Sequence, residues 1–200
     1  MKNHNIFNPK ASQDVSSKIV TGLERISEVF KLLLWKKAKH IGLSPIQIQI
    51  LIFVAFHKSE LCNVSHLAKE FNVTKPTISD AIKVLVKKEL VFKDFSPTDQ
   101  RSYTIQLTNT GKDIVAQTED FASPLKTQVD TLDTTQLDDF FDTLSSLIYK
   151  LNQSELLTVQ RTCYACKFYQ KNEKTDYCNL LQATLKKQDI RLDCPEFEER

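Results

Sequence analysis

The sequence is poor in glycine, with three residues in 200, at positions 22, 42 and 111. Glycines this far apart cannot form a Gly-x-Gly-x-x-Gly fingerprint or a phosphate-binding P-loop. Long apolar runs are also absent. The longest, Ile50 to Phe56, has seven residues, whereas a membrane-spanning helix needs roughly 20. The segment from Met1 to Lys10 contains no apolar stretch of the kind found in signal peptides, so we expect a cytoplasmic protein.

The charges are arranged in blocks, although the net charge is only +2. Residues 15–41 carry six basic and two acidic groups, and residues 61–112 carry eight basic and five acidic groups. Residues 113–142 reverse the balance, with one lysine and eight acidic residues. This pattern suits a protein that presents one face to a polyanion and turns another away. An acidic helix face exposed to solvent explains the last block equally well.

The periodicity of apolar residues predicts a mainly helical chain with one β-hairpin. Residues 1–14 have the composition of a frayed tail, and residues 15–41 form a long amphipathic helix. A second helix begins at Ser44-Pro45 and is apolar nearly all round, which indicates burial. Two short helices then follow, 65–71 and about 75–89, joined by a short turn, which is the helix-turn-helix pattern. Next come a hairpin, where the period changes to two, and further helices to residue 152, interrupted at Pro124.

A helix-turn-helix followed directly by a β-hairpin is a winged helix, here at about residues 43–111. Its second helix is expected to enter the major groove of DNA, and its hairpin a minor groove. Short polar side chains can contact base edges, and lysines can contact phosphates. The same lysine-rich face could also be only the solvated side of a core helix. The predicted outward-facing residues of this helix are Lys75, Thr77, Ser79, Asp80, Lys83 and Lys87.

Three segments resemble the MarR (multiple antibiotic resistance regulator) family of winged-helix repressors. They are the run 72–80 with 87–91, the wing Asp99-Gln100-Arg101-Ser102, and the stretch 107–111, Leu-Thr-Asn-Thr-Gly. The resemblance covers roughly residues 15–152. It implies that Arg101 enters the minor groove and that Asp99 orients it. The family usually has glycine where this chain has Glu89, and this difference puts the conformation of that turn in question.

The resemblance also implies partners. They are a pseudo-palindromic duplex, a second copy of the chain that pairs through the first and last helices, and a small aromatic effector. Long apolar stripes at 15–41 and 125–151 independently favour the dimer. An effector pocket could be lined by Phe30, Trp35, Phe53 and Phe56, but such aromatics are more often core residues. Cys62 is a candidate redox sensor, with a buried inert thiol as the more common alternative.

Residues 161–200, here called the annex, contain four of the five cysteines: Cys163, Cys166, Cys178 and Cys194. Disulfides are rare in cytosolic proteins, so four cysteines around a Cys-x-x-Cys pair indicate one metal centre. Zinc and a [4Fe–4S] cluster fit four thiolates equally well. The pattern, with Phe168 and Phe197, also resembles the small iron–sulfur subunits of certain glycyl-radical enzymes, in which aromatics shield the cluster.

The sequence therefore predicts a transcriptional regulator that is not an enzyme. Its DNA affinity is expected to respond to a small ligand or to the redox or metal state of the four-cysteine site. The alternative is a winged-helix module that binds another protein and carries a structural metal. Such modules often lose the basic recognition face, whereas this chain keeps Lys75, Lys83, Lys87 and Arg101.

Overall fold

A computed structural model describes residues 7–8, 14–95, 103–172 and 175–200. The described part is mainly helical, with one two-stranded and one three-stranded antiparallel sheet. The helices are α1 (Val15–Ile41), α2 (Pro45–Phe56), α3 (Val64–Glu70), α4 (Lys75–Lys87), α5 (Asn109–Thr118), α6 (Ser123–Val129) and α7 (Thr134–Gln153). The strands are β1 (Val91–Phe95), β2 (Tyr103–Leu107), β3 (Tyr169–Lys171), β4 (Asp176–Cys178) and β5 (Ala183–Leu185).

Local capping residues explain where the helices begin and end. The side chain of Gln47 accepts a hydrogen bond from the Ser44 N–H at 2.9 Å at the start of α2, where Pro45 occupies the first turn. Asp133 and Gln136 form a reciprocal capping box at the start of α7. At the end of α1, Gly42 adopts the left-handed conformation that glycine permits, with a φ of 71°.

Helices α3 and α4 and the β1–β2 hairpin form the predicted winged helix on a single apolar core. The strands pair in antiparallel register from Val91 opposite Leu107 to Phe95 opposite Tyr103. The Ile105 N–H also donates to the Cys62 carbonyl at 2.8 Å, which ties the hairpin to the segment before α3. The core includes the fully buried side chains of Ile48, Ile50, Leu51, Leu67, Ile78, Ile82 and Leu85. The predicted fold class is confirmed.

The turn after α4 is left-handed although it has no glycine. Glu89 has a φ of 57°, a conformation that costs a residue with a Cβ roughly 1–2 kcal/mol. The Leu90 N–H donates to the Leu85 carbonyl at 3.0 Å, and the Thr108 hydroxyl donates to the Glu89 carbonyl at 2.7 Å. These hydrogen bonds stabilise the strained turn. The chain therefore passes from α4 to β1 through a residue in the left-handed conformation.

The annex is a small unit of short elements around the sheet β3–β4–β5. Two 3₁₀ turns, Cys163–Ala165 and Lys187–Asp189, flank this sheet in the chain. Its core is formed by Cys166, Tyr169, Leu185 and Ile190, with Phe141 of α7 packed against them. Among the described residues, no single helix is long and apolar enough to cross a membrane, and only α1 with α2, bent by 93°, reaches that threshold as a pair.

Candidate nucleic-acid interface and cysteine cavity

Helix α4 has a buried apolar stripe on one side and a polar outer face on the other. The Thr74 hydroxyl caps its first turn by accepting from the Thr77 N–H at 3.3 Å. The inward side chains are Ile78, Ala81, Ile82 and Leu85. Of the predicted DNA-contacting residues on α4, Ser79 is half-buried and the rest are exposed: Lys75, Thr77, Asp80, Lys83 and Lys87. The helix therefore brings all six to the surface, and the buried stripe fixes which way they face.

The outer face of α4 has one internal ion pair. Lys83 Nζ lies 2.9 Å from Asp80 Oδ1, and this hydrogen bond raises the pKa of Lys83. Both side chains are more than 70% exposed, so the pair is too well solvated to add much stability. Lys75 and Lys87 lie at the two ends of the helix. Asp99 and Arg101, the predicted wing residues, lie outside the described residues.

A buried arginine joins the annex to the helix-turn-helix. Arg161 binds Glu70 of α3 through both carboxylate oxygens, at 2.8 and 3.0 Å, and its Nε donates to Asp193. Asp193 in turn lies 2.9 Å from Nε2 of His57, which follows α2. Although burial opposes both effects, these bonds raise the pKa of Arg161 and lower that of Asp193. A second pair, Lys58 with Glu196 at 2.6 Å, lies in the same region.

The four annex cysteines line one cavity of about 40 Å³, here called the cysteine cavity. Cys163 and Cys166 come from the first 3₁₀ turn and its end, Cys178 ends β4, and Cys194 follows the second turn in the chain. Phe168 also lines this cavity, whereas Phe197 lines a neighbouring cleft. All five cysteines are free. Within the described residues, no group of three or more histidine, cysteine or acidic side chains is arranged around a single-ion position.

The candidate aromatic pocket residues separate into two sets. Phe30 and Trp35 line a groove of about 620 Å³ between α1 and α2, together with Phe121. Phe53 instead belongs to the core and stacks on His57 with ring centroids 3.8 Å apart. Phe56 is exposed and does not line that groove. The structure therefore brings two of the four predicted residues to one open groove.

Cys62 is fully buried in the winged-helix core. Its thiol donates to the Lys58 carbonyl at 3.4 Å. Burial, with a smaller contribution from the charge of Glu60, raises its pKa to about 11. Because the thiolate is the reactive form, this environment favours an inert cysteine.

The winged helix is similar to a known protein family and to several solved structures. Residues 41–102 match the model of the MarR family. The fold resembles the S. aureus MepR–DNA complex, at 23% identity and a TM-score of 0.58, over 70% of this chain and 100% of that one. It also resembles a MarR transcriptional regulator from Methanosarcina mazei Go1, at 21% identity and a TM-score of 0.57, over 68% and 96% of the two chains.

A third similar structure is CouR from Rhodococcus jostii RHA1 bound to p-coumaroyl-CoA. Its identity is 20% and its TM-score 0.56, over 68% of this chain and 95% of that one. The comparison with curated proteins finds no match. At these identities the structural likenesses show the fold, which is that of a MarR-type winged helix.

Sequence reasoning did not identify the anchor formed by Arg161, Glu70, Asp193 and His57. These residues lie up to 136 positions apart, and no local pattern marks them as partners. The one available signal was the position of Arg161 and Asp193, each within two residues of a cysteine.

Proposed function

We propose that this protein is a sequence-specific DNA-binding transcriptional regulator, acting as a repressor, in which α4 reads the major groove. The observation that carries the proposal is the outer face of α4. Its inward side is fixed by Ile78, Ile82 and Leu85, so the polar side chains must face away from the core. An α-helix with its side chains is about 10–12 Å in diameter, which fits the width of a major groove, about 12 Å.

The side chains on this face have chemically distinct roles. Thr77, Ser79 and Asp80 are short polar groups in the first half of the helix, which is the half that contacts bases in helix-turn-helix proteins. Lys75 and Lys87 are at the ends, where the groove walls present phosphates. Asp99 and Arg101 remain sequence-based predictions for the minor groove. The MepR structure that this fold resembles is a DNA complex, and the MarR family match covers α2 to the wing, in support of the same function.

Binding of a duplex should depend on salt through these lysines. A high-affinity sequence is first selected from a random duplex pool with the full-length protein. Replacing Lys87 by alanine should then weaken all duplexes about equally and reduce the slope of log affinity against log salt by about 0.9 per lost phosphate contact. Fluorescence anisotropy at several salt concentrations measures both effects.

The matched control is Lys126→Ala. Lys126 is an exposed lysine on α6 whose Nζ lies 2.6 Å from Asp130, away from α4 in the chain, and its loss should leave the slope unchanged. Equal slopes for Lys87→Ala and wild type would reject α4 as the contact surface. A chain that selects no duplex sequence at all would instead favour the alternative, a winged-helix module that binds protein.

The regulator is proposed to act as a homodimer built from α1 and α7. On α1 only Leu34 and Ala38 are buried, and on α7 only Ser145. Apolar side chains on both helices remain exposed, including Val15, Ile19, Trp35, Phe140 and Leu151. Two long helices that leave this much apolar surface uncovered are typical of an interface.

Two features of the structure could change DNA affinity. The first is the annex, because Asp193 connects it to His57, which follows α2, and Arg161 connects it to Glu70 of α3. The second is the groove lined by Phe30 and Trp35, which would suit a small aromatic ligand. The ligand-bound CouR structure, which has a similar fold, supports an effector of this kind. We infer that the annex is the stronger candidate, since Arg161 binds Glu70 of α3 directly.

A further inference from the structure

The cysteine cavity is a void that four thiols share. Backbone hydrogen bonds fix its rim: the Cys163 N–H donates to the Arg191 carbonyl at 2.9 Å, and the Cys194 N–H donates to the Arg161 carbonyl at 2.9 Å. Cys178 pairs with Tyr169 in the β3–β4 register, and Tyr169 lies three residues after Cys166. Three separate parts of the annex therefore bring their cysteines to the same space.

The arrangement of the four thiols favours a cluster over a single ion. Around one Zn²⁺, four thiolates lie about 2.3 Å from the metal and hence about 3.8 Å from one another, so no void is left among them. In this structure the four thiols line one shared cavity of about 40 Å³, and within the described residues no three of them are arranged around a single-ion position. A cubane of iron and sulfide carries one thiolate on each of its four irons, so its cysteines surround a cluster of eight atoms and not a single ion.

The walls of the cavity suit an iron–sulfur cluster. Of its eight lining residues other than the cysteines, three are charged (Asp189, Arg191 and Glu196) and five are apolar or aromatic: Phe168, Tyr169, Leu180, Leu181 and Leu185. An apolar wall limits the access of water, and this is one of the ways in which proteins set the potential of a cluster. The Arg191 N–H lies 3.2 Å from Cys163 Sγ and donates to it. Such N–H to sulfur bonds stabilise the negative charge of a ligating thiolate.

We propose that the annex holds one [4Fe–4S] cluster ligated by Cys163, Cys166, Cys178 and Cys194. When bound, the cluster would supply a redox-sensitive or oxygen-sensitive core to a unit that otherwise has a small apolar core of its own. Cys166 is buried and the other three are half-buried, so the cluster would lie near the annex surface. Leu180 and Leu181, 44% and 59% exposed, lie at that surface. This assignment does not depend on DNA binding.

The test is the metal content of the full-length protein purified without oxygen and then reconstituted with ferrous iron and sulfide. The expected result is a brown protein with about four irons and four sulfides per chain, whose visible absorbance is lost in air. Replacing any one of the four cysteines by serine should reduce the iron content at least fivefold. Cys62→Ser is the matched control, because Cys62 lies in the winged-helix core, and this variant should keep the full iron content.

Three results would overturn the proposal. One is a colourless chain with one tightly bound zinc, which would show a closed structural site. Another is about two irons per chain. The third is a folded chain without metal whose four annex thiols are all alkylated under native conditions. If a serine variant loses its helical circular dichroism, the iron, sulfide and zinc analysis of the wild-type and Cys62→Ser proteins still decides between these outcomes.

Discussion

Gly111 shows why a single residue type is required at one position. It lies in the first turn of α5, where the Thr108 hydroxyl accepts from its N–H at 3.0 Å. A Cβ at this position would lie 2.0 Å from the Leu90 carbonyl oxygen and 3.2 Å from a methyl group of Leu107. The glycine in the Leu-Thr-x-x-Gly segment is thus explained by the close approach of α5 to the start of β1.

Gly111→Ala should destabilise the winged helix by about 3 kcal/mol or more, because the obstructing atom is backbone and cannot rotate away. Urea denaturation followed by circular dichroism measures the loss. Thr110→Ala is the neighbouring control, since Thr110 is exposed in the same turn and alanine favours a helix. If both variants unfold at the same urea concentration, the close contact with Leu90 is not present in solution.

Glu89, in contrast to Gly111, occupies a position where glycine is not required. Glutamate is unfavourable in a left-handed turn because it has a Cβ, but Glu89 adopts a φ of 57°. Its carbonyl accepts from Thr108, so hydrogen bonding around the turn offsets the strain that the Cβ causes. Glycine is necessary at position 111 because there is no space for a Cβ. It is dispensable at position 89, where the left-handed conformation is only less favourable for glutamate than for glycine.

At the scale of elements, the annex and α3 are joined by the Arg161–Glu70 ion pair, which is largely shielded from solvent. The Arg161 side chain is 8% exposed and the Glu70 side chain 18%. The guanidinium also lies over the Phe53 ring, 5.4 Å from its centroid. Breaking a buried pair by removing one charge leaves the other charge poorly solvated, which is far more costly than losing a surface pair.

Glu70→Gln should therefore lower the free energy of unfolding by about 1–3 kcal/mol, since the amide keeps an acceptor but loses the charge. The control is Glu28→Gln. Glu28 pairs with Lys31 at 2.8 Å, but both side chains are more than half exposed, so its loss should cost less than about 1 kcal/mol. Equal losses for the two variants, measured by urea denaturation, would contradict a tight junction between annex and α3.

Glu70→Gln also tests whether the contact between Arg161 and Glu70 transmits a change in the annex to the DNA-binding helices. If the annex controls DNA affinity through Arg161 and Glu70, removing the proposed metal centre should change the affinity of the wild-type protein by about fivefold or more. The change should be smaller in Glu70→Gln. Retention of the full effect in the variant would place the route elsewhere, for example through the Lys187–Asp142 pair, at 2.8 Å, between the annex and α7.

At the scale of the whole molecule, the uncovered faces of α1 and α7 predict a dimer. Phe140 on α7 is 44% exposed, and a glutamate there would bring a charge into the proposed interface, where it is poorly solvated. Phe140→Glu should therefore shift the protein from dimer towards monomer at micromolar concentration in sedimentation. Phe92→Glu is the control, because Phe92 is 50% exposed on β1 of the wing and should leave the dimer intact. A wild-type monomer under these conditions would rule out this assembly.

The sequence alone predicted the parts of this protein that depend on neighbours in the chain. The helix start at Ser44-Pro45 is visible because a capping residue and its partner, Gln47, lie three positions apart. The buried stripe of α4 is visible because its apolar residues repeat with the helical period. These local signals were enough for the winged helix and for the outward direction of Lys75 and Lys87.

The tertiary structure decided what depends on residues far apart in the chain. No pattern around Glu70 indicates that Arg161, 91 positions later, will bind it, because an ion pair leaves no periodic signal. Likewise, the spacing of the four cysteines suggested a metal site but was equally compatible with zinc and with a cluster. Only the packing of the annex shows that all four thiols line one cavity, since the space between side chains is set by every element that closes around it.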